Sequence, residues 1–210
     1  DKLYGGTGDD ILAGGAGADT LLGGAGSDRY TFYSGDGANR IDEYGGGGET
    51  TDTVVLSDIA SITDVRFNYV AQSGQTWEGT LMMGLGGDDS VEIRHQYAST
   101  YHVEQLELSD GTTYNLSLRN GGSGNDIVVG NSGNNRLYGN EGDDVLAGGA
   151  GADKLYGGTG DDLFIFSDGD GPDTIKDFQA GATLAEDVID FSDITSLNNF
   201  ADVQVASSDV

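Results

Sequence analysis

The chain has 210 residues, with 36 acidic against 9 basic side chains, 37 glycines, one proline, no cysteine and a formal net charge of -27. Nine cations scattered among carboxylates cannot form the basic stripe that nucleic acid or an anionic bilayer requires, and no run approaches the roughly 18 apolar residues of a membrane span; neither nucleic-acid binding nor membrane insertion is expected. Without cysteine there are no disulfides or thiolate sites, so a stabilising ion must be a hard cation on oxygen ligands.

This much glycine and negative charge would leave a chain disordered unless its residues were placed in register. The N-terminal segment is in register. It divides into nines: Gly5-Gly6-Thr7-Gly8-Asp9-Asp10-Ile11-Leu12-Ala13, then Gly14 to Leu22 with Gly14, Gly15, Gly17 and Asp19, then Gly23 to Thr31 with Gly23, Gly24, Gly26 and Asp28. Asp1 to Tyr4 are the tail of one more copy. Glycine at positions one, two and four predicts positive φ and carbonyls turned into one concavity. Aspartate at position six adds a charge beside those carbonyls. Positions seven to nine predict a short strand whose eighth side chain (Leu12, Leu21, Tyr30) points inward. Two such units make one coil, which predicts Asp10 stacked on Asp28.

The array runs into an aromatic strand and an acidic turn, Tyr30-Thr31-Phe32-Tyr33-Ser34-Gly35-Asp36-Gly37, and then a β-branched stretch from Asp52 to Ile59. The turn from Asp36 to Asp42 is expected to cap the roll and hold a further ion. Residues 60–118 alternate apolar and polar in strand fashion over Val65 to Val70, Trp77 to Leu85, Val91 to Arg94 and Val103 to Leu108, with an Asp110-Gly111 turn into Tyr114 and Leu116. Trp77 reads as a core or cap residue; a sugar-stacking platform around Trp77 and Tyr97 is the alternative. His95 and His102 lie in no HExxH or triad-like pattern and read as sheet residues, so no reaction is expected from this chain.

The second array has five copies, from Gly121 to Ile165. Its turns carry Gly121, Gly122, Gly124 and Asp126; Gly130, Asn131 and Asn135; Gly139, Asn140, Gly142 and Asp144; Gly148, Gly149, Gly151 and Asp153; and Gly157, Gly158, Gly160 and Asp162. Its inward stripe is Val128, Leu137, Leu146, Leu155 and Phe164. Stacking is predicted for Asp126, Asp144 and Asp162 on one edge and for Asn135 and Asp153 on the other. A matching acidic turn follows, with Asp170 and Asp173 as expected ligands, and DKLYGGTGDD recurs unchanged at 1–10 and 153–162. The domains expected are 1–59 (first array and flank), 60–119 (β-rich cap) and 120–210 (second array and flank). The fold class is all-β: parallel β-roll arrays with an intervening strand segment that caps them.

Paired carboxylates and aligned carbonyls match the six to eight oxygens that Ca²⁺ accepts, whereas Mg²⁺ demands a tight octahedron and holds its waters. A metal-free solenoid is the other reading, but stacked unpaired carboxylates would repel. The segments GGTGDDILA, GGAGADTLL, GNEGDDVLA and GGAGADKLY resemble the GGxGxDxUx nonapeptide of the RTX family. VEQLELSDGTTYNL is similar to the calcium-binding-related segment that follows such blocks. The resemblance implies several Ca²⁺ ions, about five in the arrays, held by the position-six aspartates and the turn carbonyls. It also implies a secreted or cell-surface bacterial protein exported by type I secretion machinery, attached to other domains of its parent and folded by extracellular calcium. The alternative function is an adhesin-type or carbohydrate-binding module that uses residues 60–118.

Overall fold

The computed structural model describes residues 1–42, 50–71, 79–94, 103–117, 120–181 and 186–195. It forms two compact units, Asp1–Leu116 and Ser117–Val210. Among the described residues the only helix is the single 3₁₀ turn Ile62–Asp64, and no helix is long and apolar enough to cross a membrane.

In the first unit the nonapeptides give β1 (Lys2–Thr7), β2 (Ile11–Leu12), β3 (Thr20–Ala25) and β4 (Arg29–Phe32), and the flank gives β5 (Ala38–Asp42) and β6 (Thr53–Leu56). Pairing is parallel and in the predicted register: Leu3 opposite Leu21 in one sheet, Leu12 opposite Tyr30 in the other. Consecutive strands therefore lie in different sheets, and each pairs with the strand one full coil away. The flank continues both sheets with a longer coil, placing Arg40 opposite Thr20 and Thr53 opposite Arg29. Residues 60–116 stay within this unit. They supply β7 (Arg66–Ala71), β8 (Gly79–Gly86), β9 (Asp89–Arg94), β10 (Gln105–Leu108) and β11 (Thr113–Ser117). β7, β8 and β9 form an antiparallel meander, and β9 lays itself parallel on β5. β10 lies parallel on β6 and turns back into β11, through a turn in which Asp110 Oδ1 accepts the Thr112 amide at 2.8 Å and Gly111 takes φ 89°. The expected cap thus extends both sheets of the roll.

The second unit contains β12 (Asp126–Val129), β13 (Arg136–Glu141), β14 (Val145–Ala147), β15 (Lys154–Thr159), β16 (Leu163–Ser167), β17 (Thr174–Ile175) and β18 (Val188–Asp193). One sheet stacks β12, β14, β16 and β18, and the facing one β13, β15 and β17. Leu137 pairs with Leu155, and Val128 with Leu146 and on to Phe164. The predicted inward stripe, Val128, Leu137, Leu146, Leu155 and Phe164, is 0% exposed throughout. In the first unit Leu12 is 4% exposed and Leu21 and Tyr30 are fully buried. Each such side chain contributes about 1.5–3 kcal/mol on burial, so the roll has a core only one side chain thick between two thin sheets.

Candidate metal centres

Where each strand ends, the chain must reverse within a few residues, and the position-six side chain turns back under its own turn. Asp28 is fully buried, and Asp126, Asp144, Asp153 and Asp162 are each 1% exposed. Except at Asp126, one oxygen of each carboxylate is held by an amide of the neighbouring coil. The Asp10 amide donates to Asp28 Oδ1 at 2.8 Å, Asp126 to Asp144 Oδ1 at 2.8 Å, Asn135 to Asp153 Oδ1 at 2.6 Å and Asp144 to Asp162 Oδ1 at 3.0 Å. The Asp1 amino group takes the same role against Asp19 Oδ1. The stacking predicted for these residues is present, with a spacing of 18 in every pair.

The other oxygen has no protein donor. Oδ2 of Asp10, Asp19, Asp28, Asp144, Asp153, Asp162 and Asp173 is buried without a hydrogen-bond partner, an arrangement that costs about 1–3 kcal/mol or more per group unless something compensates. These oxygens border the space where position-one glycine lacks a side chain. A Cβ on Gly139 would stand 2.2 Å from Asp144 Oδ2 and 2.4 Å from the Gly157 carbonyl oxygen; on Gly5 it would stand 2.7 Å from both Asp10 Oδ2 and the Gly23 carbonyl. A carboxylate oxygen of one turn and a glycine carbonyl of the next on the same edge therefore converge on one small volume. This corrects the conformational expectation for position one, where glycine is required by space and not by positive φ. Positive φ belongs to positions two and four, such as Gly158 at 107° and Gly160 at 131°, where a Cβ would also strike the Asn140 and Gly142 carbonyls of the coil before. Asn140 holds the position-two conformation at φ 85°, which asparagine tolerates better than most residues.

Burial and the neighbouring carboxylates push five of these acids upward. Asp144 rises to about 7, and Asp162 and Asp173 to about 6, with desolvation the larger cause and adjacent aspartates the next charge effect. Asp28 and Asp153 shift the same way, mainly through burial. Among the described residues no three acidic or imidazole side chains converge as a metal cage. The oxygen set is carbonyl-rich instead, as suits Ca²⁺ and not a nitrogen- or sulfur-seeking metal.

The first turns of the second array depart from this pattern. Gly122 donates to Asp126 Oδ2 at 2.6 Å and Asn131 to Asn135 Oδ1 at 2.7 Å. Neither Gly122 nor Gly124 adopts positive φ. Asp36 and Asp170 close their own turns, accepting from Tyr33 at 2.9 Å and Ser167 at 2.8 Å. Asp173 instead prolongs the ladder, accepting from Asp153 at 2.9 Å. Several members escaped sequence reasoning: Asn39 accepts from Asp19 at 3.0 Å, Asp52 from Asp28 at 2.8 Å, Asp187 from Asp162 at 3.2 Å, and Glu104 from Asp52 at 2.6 Å. Their spacings of 20, 24, 25 and 52 hid them, although the Asp before a β-branched run at 52–56 and 187–189 was a usable signal. Position five was also missed. It stitches the turns in the opposite direction, Asn125 Oδ1 accepting from Asp143 at 3.0 Å and Asp143 Oδ1 from Asp161 at 2.9 Å. Trp77, His95, Tyr97 and His102 lie outside the described residues.

Comparison with known families agrees with this geometry. The family described as RTX calcium-binding nonapeptide repeat (4 copies) matches residues 1–30, 120–155 and 138–175. The haemolysin-type calcium binding protein related domain matches residues 83–117. No curated protein matches the chain.

Proposed function

This chain is built on calcium-binding RTX repeats, and from that premise we propose that it is a calcium-driven folding module of a secreted bacterial protein, with no reaction of its own. The observation that carries this reading is the set of buried, unpartnered Oδ2 atoms of Asp10, Asp19, Asp28, Asp144, Asp153, Asp162 and Asp173. Stacked along each edge, with a glycine carbonyl of the next turn beside those of Asp10 and Asp144, they are the oxygens that would hold Ca²⁺ between turns one coil apart. When bound, the ion supplies positive charge that cancels the carboxylates and joins two turns. The protein supplies the rest: Oδ1 locked by the neighbouring amide, glycine wherever a Cβ would fill the cradle, and a thin apolar core beneath.

Without the ion, like charges crowd both edges, while strands of two to six residues bury too little to oppose them. Binding energy then becomes folding energy, and the coils fill cooperatively because each contacts only its neighbours. Extracellular calcium modules bind at about 10⁻⁴–10⁻³ M, well above the calcium level of a cytosol. The chain would therefore stay unfolded and exportable by a type I channel, then fold outside and stabilise neighbouring domains of its parent. Circular dichroism during calcium titration tests this: β signal should appear cooperatively with Ca²⁺ and far less with equal Mg²⁺. A chelated sample that keeps its full β structure at neutral pH rejects the switch.

A further inference from the structure

The two units share a turn and strand but finish them differently. In the first unit the turn Tyr33–Gly37 leads into β5, and β9 lies along the outer edge of β5 with Ala38 opposite Ser90 and Asp42 opposite Arg94. Asp89, at the head of β9, accepts amides of that turn, from Gly35 at 2.6 Å and Gly37 at 3.0 Å, and the Ser90 amide donates to the Gly37 carbonyl at 3.1 Å. The corresponding turn of the second unit, Ser167–Gly171, leads into β17, and Gly169 keeps the positive φ of its counterpart, 100° against 93° for Gly35. Yet among the described residues β17 is the last strand of its sheet, paired only with β15. Among the described residues no carboxylate meets the Gly169 or Gly171 amide.

The apolar residues report the same difference. Ile41, Val54 and Leu56 are fully buried and Phe32 is 1% exposed, whereas their counterparts Ile175, Ile189, Phe191 and Phe166 are only half-buried. The amides of Thr174 and Lys176 point back to Asp153 and Leu155, so those of Asp173 and Ile175, alternating with them, face the outer edge. Pro172 stands where Ala38 does, on the side turned toward the roll, and removes no outer donor.

The geometry points to the outer edge of β17, with the Gly169–Gly171 amides at its head, as a docking site for a further β-hairpin of the β8–β9 kind: an extended strand headed by a carboxylate and alternating apolar and polar residues. The charge at its far end should be reversed. Asp42 faces Arg94 in the first unit, with 3.9 Å between Arg94 Nε and Asp42 Oδ1, but Lys176 occupies the Asp42 position in the second. A strand fitted to β17 should carry an acid where β9 has Arg94. This inference is independent of which turns hold calcium.

The test uses the full 210-residue chain in calcium, a synthetic peptide of residues 79–94, and residue-resolved hydrogen exchange. In the free chain the Asp173 and Ile175 amides should exchange at least about tenfold faster than those of Asn39 and Ile41, which β9 covers, and peptide should remove most of that difference. An Asp89→Asn peptide should need roughly tenfold more to do so, because two amides lose a charged acceptor. An Arg94→Glu peptide should need several-fold less. Asp173 and Ile175 already protected without peptide, no protection at millimolar peptide, or equal potency of the Asp89→Asn peptide would each overturn the inference.

Discussion

Asp144→Asn should change stability in opposite directions with and without calcium. Asparagine keeps an oxygen for the Asp126 amide, which the native carboxylate accepts at 2.8 Å, and removes only the charge. Without metal, the Asp144 carboxyl stands at about 7 against an ordinary 3.8 because it is desolvated and crowded by Asp162 and Asp126. Holding it ionised at pH 7 then costs about 4 kcal/mol, so the amide should stabilise the metal-free roll by an amount of that order. With metal the sign reverses. The two oxygens of Asp144 face opposite gaps, one toward the Asp126 turn and one toward the Gly157 carbonyl, so two cation sites lose a charge. A site of Kd about 10⁻⁴ M contributes about 1.8 kcal/mol at about 2 mM calcium, giving a loss approaching about 3.6 kcal/mol. Urea unfolding in calcium and osmolyte-induced folding in chelator, both followed by circular dichroism, measure the two arms. Equal destabilisation in both would refute the assignment of the Asp144 carboxylate to cations and leave it a purely structural acceptor.

Other outcomes follow from the same geometry. Leu146→Asp should abolish folding even in excess calcium, since Leu146 is fully buried between thin sheets and an introduced charge finds no partner there; a folded variant with normal calcium affinity would show the register to be wrong. Asp143→Ala removes an exposed acceptor for Asp161 and the weakest of the charges acting on Asp144 and Asp162, and should shift the calcium midpoint less than about twofold. Gly139→Ala should weaken calcium binding by tenfold or more, its Cβ meeting both Asp144 Oδ2 and the Gly157 carbonyl, whereas Gly8→Ala, at φ 99° with nothing nearby, should cost about 1–2 kcal/mol of strain with little change in affinity. For pH, the raised values of Asp144, at about 7, and of Asp162 and Asp173, at about 6, mean that the folded metal-free roll binds more protons than the unfolded chain. Its stability is therefore greatest below about pH 4 and lost as pH rises through 6 to 7. Chelated protein should gain β signal on acidification; loss of signal over that range would contradict the burial of these acids.

The nine-residue period was legible because each position does one job in every copy. Leu146 and Asp144 could be placed from spacing alone, and β1 to β4 and β12 to β16 fall where the repeat puts them. The period hid what departs from it. Asp52 and Asp187 carry the ladders past the arrays at spacings of 24 and 25, because the final coil carries a longer loop, and a search for eighteen passes over them. Position five varies among Asp, Asn, Ala and Ser, so its reciprocal bonds left no consensus to read. Gly122 and Gly158 both stand at position two, yet Gly122 donates to Asp126 within its own turn while Gly158 takes φ 107° and donates to Asp177. That difference depends on what stacks on each turn.

The direction of the position-six bonds gives the roll two unlike ends. Each coil lends an amide to the acid of its successor, so a row of turns ends on a donor that must be met, as Asp52 meets Asp28 and Asp187 meets Asp162. Inserting 18 residues anywhere in an array leaves both ends and both faces as they were. Inserting nine exchanges left and right, sends every downstream strand to the opposite sheet, and presents the terminating acid to the wrong row. Lineages of such modules should therefore grow and shrink by whole coils, and an engineer lengthening one should count nonapeptides in pairs.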